Sequence, residues 1–197
     1  MGKKLRIRFS VSSKRVASGI GKPSYSPLLY SSREEYQQFL ELWEKREKCY
    51  RWLRYHRLEL GLRANASERS KQLFLIHENG SPIDRIPARS VMVSVKSLDV
   101  KRTIENYFEE SLECARNGDL DGTKNKFYEA GKYGKKVLQD YIDSHIPPPN
   151  AYITLHGGWM RSPKSGKLFY VEPKKGDTPL VNTGAYRKDF GYEITEK

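Results

Sequence analysis

The sequence predicts an α+β fold, in which an antiparallel or mixed β-sheet packs against two central helices and a long additional helix lies near the N-terminus. Three observations predict it. Short segments near both ends alternate apolar and polar residues as β-strands do, whereas the middle of the chain has apolar residues at helical spacing. No regular alternation of strands and helices is visible, which argues against a parallel α/β sheet.

Length and composition fit one ordinary domain or two small ones. The chain has 197 residues, 37% of them hydrophobic and 12% aromatic, and the aromatic content argues against disorder. Its 36 basic and 24 acidic residues give a formal charge of +12, which favours an anionic partner. Two cysteines are too few for a disulfide framework or a zinc site, and no segment is apolar enough for a signal peptide or a membrane span. We therefore expect a soluble protein with buried thiols and no membrane contact.

Residues 1–72 are expected to form a strand, an extended arm and a long aromatic helix. Leu5–Val11 alternates with period two, and residues 12–31 are rich in glycine, proline and serine. Ser32 and Glu35 can form a capping box that starts a helix running to about residue 60. The aromatic stripe of this helix fits packing within its own domain or against another subunit. The candidate interface residues on it are Tyr36, Trp43 and Tyr50.

Residues 73–197 are expected to form the α+β core, which joins the N-terminal residues in a single compact domain. The apolar runs Leu73–His77 and Val91–Val95 favour β-structure. Asp99 can cap a helix that ends at Gly118, and a second helix is predicted from about Gly122 to Ile146. Two glycines on its inner face indicate a close crossing, and three prolines end it. These residues are Gly131, Gly134, Pro147, Pro148 and Pro149.

The C-terminal region is predicted to be rich in strands. Tyr152–Leu155 has the composition of a strand, and Trp159–Arg161 can pair with Lys167–Val171 as a hairpin. A last strand is expected at Tyr192–Ile194.

The sequence offers no constellation for catalysis. The four histidines have no metal-binding spacing, and His77-Glu78 has no nucleophile motif beside it, so a structural turn is the preferred interpretation. No glycine-rich phosphate loop is present. We therefore expect a protein that is not an enzyme and has no cofactor, metal or catalytic residue.

A basic nucleic-acid-binding module is the main alternative function from the residues alone. The long helix, residues 33–60, carries several arginines and lysines with aromatic side chains between them, which can meet phosphates and bases. Acidic residues one turn away predict ion pairs such as Glu44–Lys48 and Glu47–Arg51, which favour a solvated surface instead. The basic residues concerned are Arg46, Lys48, Arg51, Arg54 and Arg57.

Two segments dense in turn residues carry a family resemblance. The first is Ile76-His77-Glu78-Asn79-Gly80, followed by Arg85-Ile86-Pro87-Ala88-Arg89-Ser90, and the second is Asp177 to Arg187, DTPLVNTGAYR. With two helices and a proline break between them, they resemble the virion-morphogenesis or tail-completion family of long-tailed bacteriophages, which has a neck or head–tail joining role. The likeness runs from about Leu73 to Ile194. The chain departs from the family pattern at Asn79, Ser90-Val91 and Tyr186, and residues 156–175 resemble an inserted hairpin.

The residues of these segments also have a direct physical interpretation. Pro87 stiffens the chain after a turn, and Arg89 can anchor that segment to a carboxylate of the same fold or of the next subunit. Gly184 suits a positive φ, and Thr183 or Asn182 can cap the helical turn at 185–188. The expected structural residues are His77, Glu78, Gly80, Pro87, Pro179, Thr183 and Gly184, and Arg85, Arg89 and Arg187 join the interface candidates.

The resemblance implies a structural protein of the phage neck or tail top. Such a subunit forms a ring, with six copies as the family expectation, that completes the tail and joins it to the head-side connector. Its implied partners are neck, connector, tail-terminator and tail-tube proteins, and DNA can pass through the lumen. The implied location is the virion, with the host cytoplasm during assembly.

Overall fold

A computed structural model describes residues 6–12, 23–27, 29–82, 86–144, 146–162, 165–174, 176 and 184–197. Helices predominate and the strands are short, so the predicted α+β class is confirmed. The strands form a three-stranded sheet in the order β1-β2-β5 and a separate antiparallel pair, β3-β4. The elements are β1 (Arg6–Phe9), α1 (Arg33–Tyr55), β2 (His56–Leu62), α2 (Glu68–Asn79), a 3-10 helix (Val91–Lys96), α3 (Leu98–Arg116), α4 (Leu120–Asp143), α5 (Tyr152–His156), β3 (Gly158–Arg161), β4 (Leu168–Val171), α6 (Ala185–Asp189) and β5 (Phe190–Glu196).

The chain divides into two compact units, each built from separated segments. The first unit contains Met1–Ile7, Leu60–Val100 and Tyr133–Tyr192, and the second contains Arg8–Glu59, Lys101–Lys132 and Glu193–Lys197. These units do not coincide with the predicted division into 1–72 and 73–197, because each draws on both of those ranges. The core of the first unit includes Phe74, Val91, Leu138 and Phe190, and that of the second includes Cys49, Leu53, Ile104 and Phe127.

The long N-terminal helix begins where the sequence predicts but ends earlier. The Ser32 hydroxyl accepts a hydrogen bond from the Glu35 amide at 3.1 Å, which confirms the cap. The Glu35 carboxylate accepts from the Ser31 amide at 2.7 Å, and a weaker interaction with the Ser32 backbone also lowers its pKa. The prediction of helix up to residue 60 is wrong, because β2 starts at His56. Buried leucines there alternate along an extended chain, at Leu58, Leu60 and Leu62.

Three segments expected to be β-structure are helical instead. Leu73–His77 lies within α2, which Ser67 caps by accepting from the Ser70 amide, and only one face of this helix is buried. Val91–Val95 forms the 3-10 helix, and Tyr152–Leu155 lies within α5.

The predictions of two middle helices, a close crossing at Gly134, a hairpin and a last strand are confirmed. The two middle helices are α3 and α4, although Ser97, rather than Asp99, accepts from the Val100 amide at the start of α3. Gly134 allows the expected close crossing, since a β-carbon there would lie 2.4 Å from Leu60 Cδ1 on β2. The hairpin pairs Trp159 with Tyr170, and β5 includes the predicted final strand.

Candidate functional site

The described parts of the two segments that carry the resemblance, which include residues 76–80 and 184–187, meet in the first unit. The His77 ring, near the end of α2, lies 5.9 Å from the ring of Tyr186 on α6. Tyr186 packs edge-on against Phe190 at 5.0 Å, and both rings are buried. The Arg89 amide donates a hydrogen bond to the His77 carbonyl at 2.6 Å. Segments about one hundred residues apart in sequence therefore form one packed structure, which we call the motif corner.

Glu78 has a structural role in the motif corner. Its carboxylate accepts hydrogen bonds from the Ser90 hydroxyl at 2.6 Å and from the Met92 amide at 3.2 Å. A carboxylate that accepts from the first amides of a helix satisfies donors that have no partner within the helix. Glu78 therefore holds the start of the 3-10 helix, in agreement with its interpretation as a structural residue.

Arg89 anchors the motif corner to the proline break. Its guanidinium donates from Nε to the Pro148 carbonyl at 2.7 Å and from Nη2 to the Pro149 carbonyl at 2.8 Å. The expectation of a carboxylate partner within the same fold is wrong: the partners of Arg89 are backbone oxygens, which a planar two-pronged donor fits equally well. The residue is only 7% exposed, and this burial lowers the pKa of the guanidinium.

Gly80 makes the turn after α2 possible. Its φ is +70° and its ψ is 174°, a combination that only glycine adopts readily. The next residue, Ser81, exchanges two backbone hydrogen bonds with Ile86, at 2.8 and 2.9 Å. Pro87 follows as an exposed residue that lines a groove.

The electrostatics of His77 do not suit acid–base chemistry at neutral pH. Burial, together with the positive charges of Arg89 and Lys174, lowers its pKa to about 4, so the ring is neutral. Its Nδ1 atom and the Tyr186 hydroxyl are buried and have no hydrogen-bond partner among the residues that the structure describes. The pKa of the Tyr186 hydroxyl is raised, because of burial and the charge of Glu78.

The β3-β4 hairpin presents two different faces. Met160, Phe169 and Val171 line a groove of about 570 Å³ together with His77 and Arg89. Alternation along the strands places Trp159 and Tyr170 on the opposite face, 70% and 47% exposed, with ring centroids 5.6 Å apart. This outer face of the hairpin was missed as a candidate site, although the alternating aromatic residues around the turn could have revealed it.

The predicted interface residues lie in different surroundings. Tyr36 packs within the second unit. Its ring contacts Tyr25 and Tyr30, and its hydroxyl donates a hydrogen bond to the Pro23 carbonyl at 2.8 Å. Trp43 and Tyr50 are half-buried on α1. Arg187 forms a two-pronged ion pair with Asp143. Gly184 has a φ of +75° before α6, as expected, and Arg85, Pro179 and Thr183 lie outside the described residues.

Within the described ranges of the chain, no group of three or more His, Cys, Asp or Glu side chains could hold a metal ion. No described helix is both long enough and apolar enough to cross a membrane. No family model, curated protein or solved structure matches this chain.

Proposed function

We propose that this protein is a structural subunit of the neck or tail top of a long-tailed phage, which forms a ring that completes the tail and joins it to the head-side connector. The motif corner is the observation that carries the proposal. The two segments that resemble the family are far apart in sequence, yet they pack on each other through His77 and Tyr186. A chance likeness of two unrelated turns would give no reason for this contact.

The polar groups of the motif corner favour an architectural role. Glu78 and Arg89 both form hydrogen bonds to nearby backbone, and the neutral ring of His77 is half-buried. Such a network holds a segment rigid and leaves few groups for chemistry. This use of the residues is the one expected of a subunit whose function is to keep a fixed shape in an assembly.

The outer face of the hairpin supports the assembly aspect of the proposal. Trp159 and Tyr170 expose large aromatic surfaces, and Leu168 beside them is 60% exposed. Exposed aromatic groups of this kind are enriched at protein interfaces, where a few of them contribute most of the binding energy. In a ring each copy uses this face against a different surface of its neighbour, and the contacts close on themselves.

The mass of the protein in solution tests the proposal. Light scattering over a range of concentrations should show a closed oligomer, about 137 kDa for six copies of the 22.9 kDa chain. Trp159→Ser should weaken association by about tenfold or more, which corresponds to at least ~1.4 kcal/mol per contact. Tyr128→Ser is the matched control, since Tyr128 is 44% exposed in the second unit.

A monomer at every concentration would count against the ring. An oligomer that Trp159→Ser leaves unchanged would count against the hairpin as its interface. The alternative function, a nucleic-acid-binding module, predicts a different outcome: a monomer that binds DNA with an affinity that falls steeply as salt rises.

A further inference from the structure

A groove of about 400 Å³ lies in the second unit, where the last turns of α1 meet the end of β5. The residues used below are Lys48, Arg51, Trp52, Tyr55, His56 and Lys197, all of which line it. The Lys197 amide donates to the Tyr55 carbonyl at 2.7 Å, which fixes the two walls relative to each other. The volume lies at the small end of the range for sites that bind small molecules.

Ring contacts fix the position of the aromatic side chains that line the groove. The Trp52 ring stacks on His56 at 4.4 Å and meets the buried Phe127 edge-on at 5.1 Å. Nδ1 of His56 must carry a proton, since it hydrogen-bonds to the Trp52 carbonyl at 2.8 Å and a carbonyl can only accept. Tyr55 differs from these rings because 54% of its surface is exposed. The groove is therefore lined by the packed rings of Trp52 and His56, and the exposed ring of Tyr55 is accessible to a ligand.

Two cations that line the groove, Lys48 and Arg51, lie on one face of α1. Lys48, Arg51 and Tyr55 follow one another at three- and four-residue steps, which places them along one face of α1. Neither Lys48 nor Arg51 has an ion-pair partner in the described ranges, so the expected pairs with Glu44 and Glu47 are not formed.

The C-terminal wall adds a further positive charge. Burial and the positive charge of Arg57 lower the pKa of the Lys197 ammonium, so an anion placed nearby would be stabilised. Glu196 is the one acidic side chain among the described residues that line the groove, against the three basic side chains of Lys48, Arg51 and Lys197.

We propose that this groove binds one nucleotide unit, with its base stacked on Tyr55 and its phosphate held by Lys48 and Arg51. A planar ring beside an anion is the chemistry that an exposed aromatic side chain and two unpaired cations recognise together. The bases of a duplex are stacked inside the helix, so the ligand is either single-stranded nucleic acid or a free nucleotide. The proposal does not depend on the ring, because oligomer mass and nucleotide binding are measured separately.

Fluorescence anisotropy of the full chain with labelled single-stranded oligo(dT), about 20 nucleotides long, tests the proposal. We expect binding that weakens as salt rises from about 50 to 200 mM. Tyr55→Leu should weaken it by about 5- to 150-fold, the usual effect of losing one base–aromatic stack, while Tyr128→Leu changes it less than about twofold. Arg51→Gln should reduce the salt slope by about one, whereas Arg69→Gln, an exposed arginine of the first unit, should not.

Two competitors identify the source of the nucleotide. Displacement of the oligonucleotide by thymidine 5′-monophosphate supports a free-nucleotide site, and displacement by unlabelled single strand alone supports a strand-binding site. The proposal is overturned if no oligonucleotide binds, if duplex DNA binds as tightly as single strand, or if Tyr55→Leu binds like the unmodified chain. Circular dichroism of each variant shows whether it is folded, and the exposure of both tyrosines makes unfolding an unexpected result.

Discussion

Replacing Gly80 with alanine should destabilise the protein more than the same change at a glycine in open space. Gly80 combines a φ of +70° with a ψ of 174°. A β-carbon there would lie 2.9 Å from the Ile86 carbonyl oxygen and 3.0 Å from the Ala88 amide nitrogen. Both neighbours are backbone atoms, and Ile86 is held by two hydrogen bonds to Ser81. The segment cannot move aside without breaking them.

Two penalties therefore add at this position. A side chain in this region of φ and ψ costs about 1–3 kcal/mol, and forced overpacking against fixed neighbours costs about 1–3 kcal/mol more. Gly80→Ala should thus lower the free energy of unfolding by about 2–6 kcal/mol. For a chain of this length each 1 kcal/mol shifts Tm by about 2–4 °C, so the expected fall is about 4–24 °C.

Gly166 supplies the control that separates the two penalties. Its φ is +67°, but a β-carbon there would have no atom within 4 Å. Gly166→Ala should therefore cost only the backbone strain, about 1–2 kcal/mol or about 2–8 °C in Tm. Thermal unfolding followed by circular dichroism measures both variants under the same conditions. Equal losses of Tm would refute the argument, because they would show that the close approach to Ile86 contributes nothing.

Three further predictions concern the first unit. Arg89→Met should lower the free energy of unfolding in urea by about 3 kcal/mol, since two charge-assisted hydrogen bonds to the proline carbonyls are lost, whereas Arg69→Met should leave it nearly unchanged. The folded pKa of His77, about 4, lies below its ordinary value of 6.5, so the neutral ring stabilises the fold above pH 6.5 and this contribution is lost as pH falls toward 4. An NMR titration of the His77 ring should show a midpoint near pH 4, and a midpoint near 6.5 would contradict the burial argument. Gly134→Val should cost about 1–3 kcal/mol in urea unfolding because of its clash with Leu60, and adding Leu60→Ala should recover some of that loss.

The sequence predicted elements with strong local signals better than short apolar runs. The Ser32 cap, the periodicity of α3 and α4, and the hairpin residues each favour one structure, and these predictions are confirmed. A five-residue apolar run such as Leu73–His77 fits a buried strand or one face of a helix equally well. Its burial in α2 depends on tertiary packing, since Phe74 is fully buried while Leu75 is 44% exposed.

The end of α1 shows a second kind of ambiguity. Leu53 and Leu60 are seven residues apart, which is two helical turns, so helical spacing extends past the true end of the helix. The period-two spacing of the buried Leu58, Leu60 and Leu62 reveals β2 only once its partners in the sheet are known.

The candidate sites depended still more on tertiary structure. Local patterns indicated that Glu78 is a structural residue and that Arg89 anchors its segment or an interface. They did not indicate the partners, since the Pro148 carbonyl is 59 residues from Arg89. The basic and aromatic residues of α1 were visible in the sequence as a nucleic-acid signal. The sequence did not indicate that Lys197 forms a wall of this groove, because Lys197 lies 142 residues after Tyr55.

The two proposals use different surfaces, and two variants can separate them. Trp159 lies on the hairpin of the first unit, and Tyr55 lies on α1 of the second. If both proposals are correct, Trp159→Ser loses the ring but still binds oligo(dT), and Tyr55→Leu forms the ring but binds oligo(dT) weakly. Loss of both properties in either variant would mean that one surface serves both, and the assignment of two sites would be wrong. If the assembled ring still binds nucleotides, every copy in it carries a base-binding groove. A component that only encloses passing duplex DNA does not need such a groove, because the bases of a duplex are stacked inside the helix.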